Sequence, residues 1–360
     1  MSSRLEKILT EKIVNEVAAK GGLAAFTPGL KIQVVQSGRL KVSLEMGETF
    51  QYYDLASLTK VIFATTAMMR LVDTNRIHIG KGKAAGDRVR QHLPWWPHRQ
   101  TTAVNVLSHS AGLSAWAPIY KEIRKRGLKS HSAKYDFLQK FLARQKLARS
   151  KKAVYSDLDF LLLGFLIEEG FGRSLLDCWH HLGLQTEMSS LHFCVNNRPV
   201  HSRQQYAPTE KCPWRKKILR GEVHDDNTWA LGGVSSHAGL FGSIDDVTHF
   251  GQLLRRGFYG ARQSLAAPET IQHFVRRAID RKWGDWALGF MMPTSGSASC
   301  GRYFSSSSVG HTGFTGTSLW FDPKRDLLVT ILSNRVHPTR DNRNFVALRP
   351  RLHDLIAESL

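Results

Sequence analysis

Asp54-Leu55-Ala56-Ser57-Leu58-Thr59-Lys60, followed by Val61-Ile62-Phe63-Ala64-Thr65-Thr66-Ala67-Met68-Met69, is the stretch from which the rest of the chain can be read. The run after Lys60 is apolar on every face for about two and a half turns, which predicts a helix buried at the centre of the fold. It is too short, and too closely bounded by Lys60, Arg70 and Asp73, to cross a bilayer. If Ser57 opens this helix, a three-residue step brings Lys60 back over the turn that carries the serine hydroxyl. The pair then has two readings. Ser57 is an ordinary helix cap with a solvated lysine behind it, or it is a nucleophile whose proton is taken by a lysine of lowered pKa, with the helix N–H groups facing a developing oxyanion.

Composition sets wide bounds. A chain of 360 residues with 42% hydrophobic and 22% charged side chains can bury one large core or two moderate ones. Fifty basic against thirty acidic residues leave a net charge of +20, so an anionic partner or surface is a fair expectation. Cys178, Cys194, Cys212 and Cys300 are far apart and show no metal-ligand spacing, so neither a disulfide framework nor a metal site is expected. Leu5, Leu9, Ile13 and Val17 mark an amphipathic opening helix stopped at Gly21-Gly22. That stretch has no signal-peptide apolar core, and a cytoplasmic location is expected.

Further along, Lys31–Val35 and Leu40–Leu44 form a hairpin around Ser37-Gly38. Between about 76 and 230 strand signals fade and helical patterning dominates. His109, in Ser108-His109-Ser110-Ala111-Gly112, reads as a loop histidine tying backbone together, with a catalytic role as the alternative. Residues 121–152 hold twelve basic side chains against Glu122 and Asp136, half of the net excess. They form either a solvated helical face or an anion-binding surface. Phe137 and Phe141 sit one turn apart beside Leu138 and Leu142, as core residues do, so the segment gives no specific nucleic-acid signal. Tyr155-Ser156-Asp157 opens the next helix, with Ser156 or Asp157 as its cap. The glycine-rich stretches 221–226 and 231–242 are expected to be loop, and Glu222, His224 and Asp225 either reach a cleft or fix that loop. Strands return with His311-Thr312-Gly313, Ser318–Asp322 and Leu327–Leu332, before a closing helix with Leu348, Leu352, Leu355 and Ile356.

Ser57-x-x-Lys60, Tyr155-x-Asp157 and His311-Thr312-Gly313, in that order, resemble the motifs of the serine β-lactamase and penicillin-binding protein superfamily. More narrowly the chain is similar to class C β-lactamase-like serine hydrolases, a group that includes esterases and DD-peptidases. The resemblance runs over nearly the whole chain. It implies an α/β (α+β) fold: an antiparallel sheet flanked by helices, built from both chain ends (1–75 and 231–360), with a mostly helical domain (76–230) inserted and the active site in the cleft. The hairpin near the start, the strands near the end and the helical middle agree with that division.

The same resemblance implies roles. Ser57 would be the nucleophile, Lys60 and Tyr155 would share its proton, and the backbone N–H groups of Ser57 and Phe314 would form the oxyanion hole. Asp157, His311, Thr312 and Gly313 would contact substrate, with Asp157 reaching its amide or the lysine. His237-Ala238-Gly239 also has the His-x-Gly form, but its strand continuation is the poorer one. Two departures stand out. Asp157 replaces the amide found in many β-lactamases, and His311 stands where many relatives have lysine, so a weaker, pH-dependent grip on a substrate carboxylate is expected. The resulting expectation is a serine hydrolase, without cofactor, acting on an ester or a D-amino-acid-type amide such as a small molecule or cell-wall peptide. A binding or regulatory protein holding an anionic polymer on 121–152 is the alternative.

Overall fold

Alternation along the strands decides how the layers stack. The computed structural model describes residues 4–80, 86–150 and 152–360; Met1, Ser2 and Ser3 of the opening stretch and Lys151 of the basic segment lie outside them. Helix α1 (Arg4–Ala18) leads into the hairpin β1 (Gly29–Gln36) and β2 (Arg39–Gly47). After the two-residue β3 (Tyr53–Asp54), a π-helical turn over Lys60–Thr65 runs straight into α2 (Thr66–Asp73). Every residue from Val61 to Met69 is buried, as its unbroken apolar run requires.

The middle of the chain is mostly helical: α3 (Val89–His92), α4 (Ala103–Leu107), α5 (Ile119–Lys125), α6 (His131–Ala143), α7 (Asp157–Phe171), α8 (Leu175–Leu182) and α9 (Leu184–Glu187). Among the described residues its strands are the short β4 (His192–Phe193), β5 (Lys211–Cys212) and β6 (Lys217–Ile218). Then follow α10 (Asp226–Leu231), β7 (Leu240–Gly242), α11 (Ile244–Phe258) and α12 (Pro268–Phe274). The chain closes with β8 (Val309–Thr312), β9 (Ser318–Asp322), β10 (Leu327–Ser333) and α13 (Asn344–Ser359).

The main sheet is antiparallel with strand order β2-β1-β10-β9-β8, so the first hairpin and the last three strands share one layer. Ile32 faces Ile331, Val34 faces Val329 and His311 faces Leu319. Leu327, Val329 and Ile331 point to one face, where they join Leu9 and Ile13 of α1 and Leu348 and Leu352 of α13 in one apolar cluster. Leu328 and Leu332 point to the other face and join the large cluster with α2, α7 and α11. With helices on both faces, β10 is buried along its whole length. The close approach of α11 depends on Gly251, where a Cβ would come within 2.7 Å of Leu328.

One expectation is corrected. The stretch 231–242 is not all loop: it holds β7, which pairs with both β3 and β4, while α10 fills the interval between the two glycine-rich stretches. Its glycines supply turns at the ends of these elements, and Gly232, which caps α10, has φ 105°.

Candidate active site

Ser57 sits at a tight turn between β3 and the buried helix. The preceding residue, Ala56, has φ 47°, a left-handed conformation that costs an L-residue about 1 kcal/mol or more and persists where neighbours enforce it. Those neighbours are visible. The Ala56 N–H donates to Asp54 Oδ1 (2.8 Å), and the other oxygen of that carboxylate accepts from the His224 N–H (2.7 Å). Thr59 Oγ1 donates to Ala56 O (2.7 Å) and accepts from the Leu240 N–H (3.1 Å). Thr315 and Thr317 donate to the carbonyls of Asp54 (2.7 Å) and Leu55 (3.1 Å), which holds the loop after β8 against the serine turn. A Cβ on Gly313 would lie 2.7 Å from Leu55 O, so this approach needs glycine.

The Ser57 Oγ accepts from Lys60 Nζ (3.0 Å) and from the Tyr155 hydroxyl (2.7 Å). Lys60 is fully buried, and its ammonium also donates to Asp157 Oδ1 (2.7 Å) and to the His237 carbonyl (3.1 Å). All three of its hydrogens are therefore placed. Tyr155 and Asp157 arrive together at the start of α7, where Ser156 accepts from the Asp159 N–H as the cap. The Tyr155 ring stacks on Trp286, with centroids 5.8 Å apart and planes 7° from parallel. His109 ties this region down: its Nδ1 accepts from the Ser156 N–H (3.1 Å) and its carbonyl from the Val154 N–H (2.9 Å), as a backbone-tying histidine should.

Electrostatics corrects the expectation of a lysine with lowered pKa. Burial alone would lower it, but the Asp157 carboxylate, and after it Tyr155, outweigh burial and raise it, so Lys60 rests as an ammonium. The phenol of Tyr155 is raised by burial and stays protonated in spite of the opposing ammonium. His311 is also corrected. Burial first, and then the charge of Lys60, push it down to about 3. Its Nδ1 bonds to the Thr312 carbonyl (2.9 Å) and its Nε2 is buried without a partner. His311 is therefore neutral near pH 7 and cannot hold a substrate carboxylate by charge.

A cleft of about 630 Å³ opens over the serine, lined among others by Trp116, His237, Thr312, Gly313 and Phe314. His224 and Asp225 line it, but Glu222 does not; it accepts from Trp229 Nε1 (3.0 Å) and pairs with Lys217 (2.8 Å). Among the described residues, neither the Ser57 N–H nor the Phe314 N–H finds a protein acceptor. His237 reaches the site differently from the His-x-Gly reading, through its carbonyl on Lys60 and its ring on Asp225 (3.1 Å). Among the described residues one group could hold a cation, Asp157 with Asp225 and His237, but the Lys60 ammonium already bonds to Asp157. Among its described residues, the basic 121–152 segment contributes none to the lining of the cleft. Lys121, Arg124 and Lys125 are exposed beside the stacked rings of Tyr120 and Trp214 (5.3 Å).

Sequence reading missed the braces: Asp54, Trp286, and the cleft arginines Arg335 and Arg349. A signal existed for one of them. Arg349 shares a helical stripe with Phe345, Leu352 and Ile356, so it is a charge placed among core positions.

A family model described as Beta-lactamase matches residues 16–350, and the chain belongs to this family, within the serine β-lactamase and penicillin-binding protein superfamily. An N-acetylmuramyl-L-alanine amidase of Bacillus subtilis (strain 168) is 27% identical over 359 aligned residues, covering 88% of this chain and 79% of the relative. A putative D-alanyl-D-alanine carboxypeptidase of Escherichia coli (strain K12) is 29% identical over 316, covering 79% and 69%. EstCE1, a hydrolase with promiscuous acyltransferase activity, shares the fold with a TM-score of 0.70 at 17% identity, covering 98% of this chain and 100% of that one. Family and relatives point to a hydrolase of this superfamily. Among the described residues no helix is long and apolar enough to cross a membrane.

Proposed function

We propose that the protein is a serine hydrolase that forms an acyl-enzyme on Ser57 from an ester or a D-amino-acid-type amide and releases the acyl group to water. The observation that carries this is the placing of Ser57 Oγ between the Lys60 amine and the Tyr155 phenol, at 3.0 and 2.7 Å. A serine used only as a cap has no need of either. The relatives named as amidase and carboxypeptidase favour a cell-wall peptide over a simple ester.

Each step follows from the charges. With Lys60 cationic and Tyr155 neutral, the resting pair must first lose one proton to solvent. The pair then takes the Ser57 proton while Oγ attacks the carbonyl carbon, and the oxyanion is met by the free N–H groups of Ser57 and Phe314. Tyr155 passes the proton to the leaving amine or alcohol as its bond to the acyl carbon breaks. In the second half the pair takes a proton from water, the hydroxide adds to the acyl carbon, and Ser57 leaves with that proton. Asp157 balances the buried ammonium of the resting site.

The site also supports a division into 1–75 plus 231–360 and an inserted 76–230, because Ser57 and Lys60 come from the first part and Tyr155 and Asp157 from the second. A second reading, a binder of anionic polymer, draws on one feature: among the described residues of the basic segment, Arg126 with Glu122 is the single ion pair. Intact mass after exposure to a fluorophosphonate tests the enzyme. One adduct that disappears in Ser57→Ala is expected, and no adduct on the folded protein overturns the hydrolase.

A further inference from the structure

Long basic side chains on a protein surface ordinarily keep their rotamer freedom in water. On α5 one of them is held. The Arg124 guanidinium stands over the ring of Trp214 (4.6 Å), and Trp214 is itself fixed, stacked on Tyr120 with centroids 5.3 Å apart and donating from Nε1 to Asp226 Oδ1 (3.1 Å). Tyr120 is fixed in turn, since its N–H donates to Oδ1 of the buried Asn227 (3.0 Å). Arg124, Lys121, Lys125 and the two rings line a hollow of about 470 Å³. All three cations are exposed, and among the described residues none of them has a carboxylate within ion-pair distance.

This hollow is joined to the serine cleft by one side chain. Trp116 lines the cleft, is 46% exposed, and has its ring centroid 6.5 Å from that of Tyr120. Among the described residues no other tryptophan is so exposed. A row of three rings, Trp116, Tyr120 and Trp214, therefore leads from the cleft to three unmatched cations. The cations call for an anionic ligand, and the rings narrow its class. A single-stranded nucleic acid needs successive open faces for its bases, whereas Trp214 already carries Tyr120, Arg124 and, at 4.8 Å, Arg215. Linear polyphosphate would use the cations and leave Trp116 idle. One open indole beside a group of cations suits a sugar ring, whose apolar C–H face packs on it, within a chain that bears negative groups.

We infer that Trp116 and the basic face of α5 form an exosite for an anionic glycan, continuous with the cleft, so that the bond cut at Ser57 belongs to a group attached to that polymer. The ring under Arg124 holds the guanidinium plane in place, which leaves its N–H groups ready for an anion at a smaller entropic cost. The inference rests on the Ser57 hydrolase reading for the bond that is cut, and on the surface alone for the glycan. The competing role is a solvated helix end, at which Arg124 and Lys125 merely offset the last carbonyls of α5.

Calorimetry on the unaltered protein separates these roles without turnover, with polygalacturonate as the probe and dextran, polyphosphate and an oligothymidylate for comparison. Polygalacturonate should bind more tightly than any of the three, and its log affinity should fall against log salt with a slope of about −2, as three contacts to a flexible polyanion predict. Lys121→Glu combined with Arg124→Glu should remove most of the affinity and the slope. Trp116→Ala should weaken polygalacturonate by about threefold to tenfold and leave polyphosphate unchanged, and Trp116→Phe should recover part of the loss. Bound polygalacturonate should also slow p-nitrophenyl ester hydrolysis, because it reaches the cleft mouth at Trp116. Binding of dextran, polyphosphate or oligothymidylate as tight as that of polygalacturonate overturns the glycan, and no binding of polygalacturonate at low salt leaves α5 a solvated helix end. Trp116-dependent binding that leaves ester hydrolysis untouched overturns the continuity with the cleft. If Ser57 takes no fluorophosphonate, the hydrolase fails, while the binding series still reads the exosite.

Discussion

Lys60 and Asp157 stand 97 residues apart in the chain, and their ammonium and carboxylate meet at 2.7 Å beside the Ser57 hydroxyl. The contact raises the pKa of Lys60, which burial alone would lower. Asp157→Asn removes the largest opposing charge, so the free amine should form at lower pH. In the proposed mechanism the deprotonated pair is the active form, so the rising limb of a pH–rate profile for p-nitrophenyl ester hydrolysis should move to lower pH. A limb that stays in place would show that Lys60 does not set it.

The donors on Ser57 Oγ should matter unequally to structure and equally to rate. Tyr155→Phe keeps the ring on Trp286 and loses only the hydroxyl. Lys60→Ala leaves Asp157 without its buried partner. Each should slow ester turnover by about 10²- to 10⁴-fold, the usual range for a general acid–base group. Single-turnover rates within twofold of the unaltered protein would remove that residue from the mechanism.

Acid should reveal a buried neutral histidine. His353 on α13 packs edge-on to Phe304 (5.3 Å), and burial first, then Arg349, push it down to about 3. Its unfolded form takes up a proton near pH 6.5 and its folded form does not. Its contribution is therefore fully present above about pH 6.5 and is lost as pH falls towards 3. Buried acids such as Glu168, raised by burial to about 7, act in the opposite sense, so the comparison must be between variants. His353→Leu should gain on the unaltered protein by about 1.4 kcal/mol for each pH unit between roughly 6 and 4, read by urea unfolding. A pH-independent difference would contradict a neutral buried imidazole.

The exposed basic shelf can be tested apart from catalysis. Replacing Lys121, Arg124 and Lys125 by Glu changes charge on a solvent-facing helix and should leave ester hydrolysis within about twofold, since surface substitutions are usually mild. If the shelf holds an anionic polymer, polyphosphate affinity of the unaltered protein should fall steeply with salt, and the triple variant should lose most of both affinity and slope. Binding that ignores salt, or survives charge reversal, would leave the shelf as a solvated face.

Much of the fold was legible because its periodicities are local. Leu9, Ile13 and Val17 recur at helical spacing, the hairpin announces itself at Ser37-Gly38, and the run from Val61 to Met69 has no polar face to expose. Leu240–Gly242 was misread because a three-residue strand between glycines has too little pattern to see; only its partners β3 and β4 make it one. The side chains that meet at Ser57 Oγ were legible as two short motifs in order, Ser57-x-x-Lys60 and Tyr155-x-Asp157. Their electrostatics was not.

What the amino-acid order alone determined is the set of chemical parts and their local settings: a serine one turn from a lysine, a tyrosine at a capped helix start, a histidine at the end of a strand. Only the tertiary structure decided their charge. Whether Lys60 is an amine or an ammonium, and whether His311 can hold an anion, depends on desolvation and on groups brought close by folding. Asp157 tips the first towards the cation, and enclosure near Lys60 and Arg349 tips the second towards the neutral ring. Such long-range terms act through space within a few ångströms, while the sequence orders residues along a line, so a partner 97 positions away leaves no local mark.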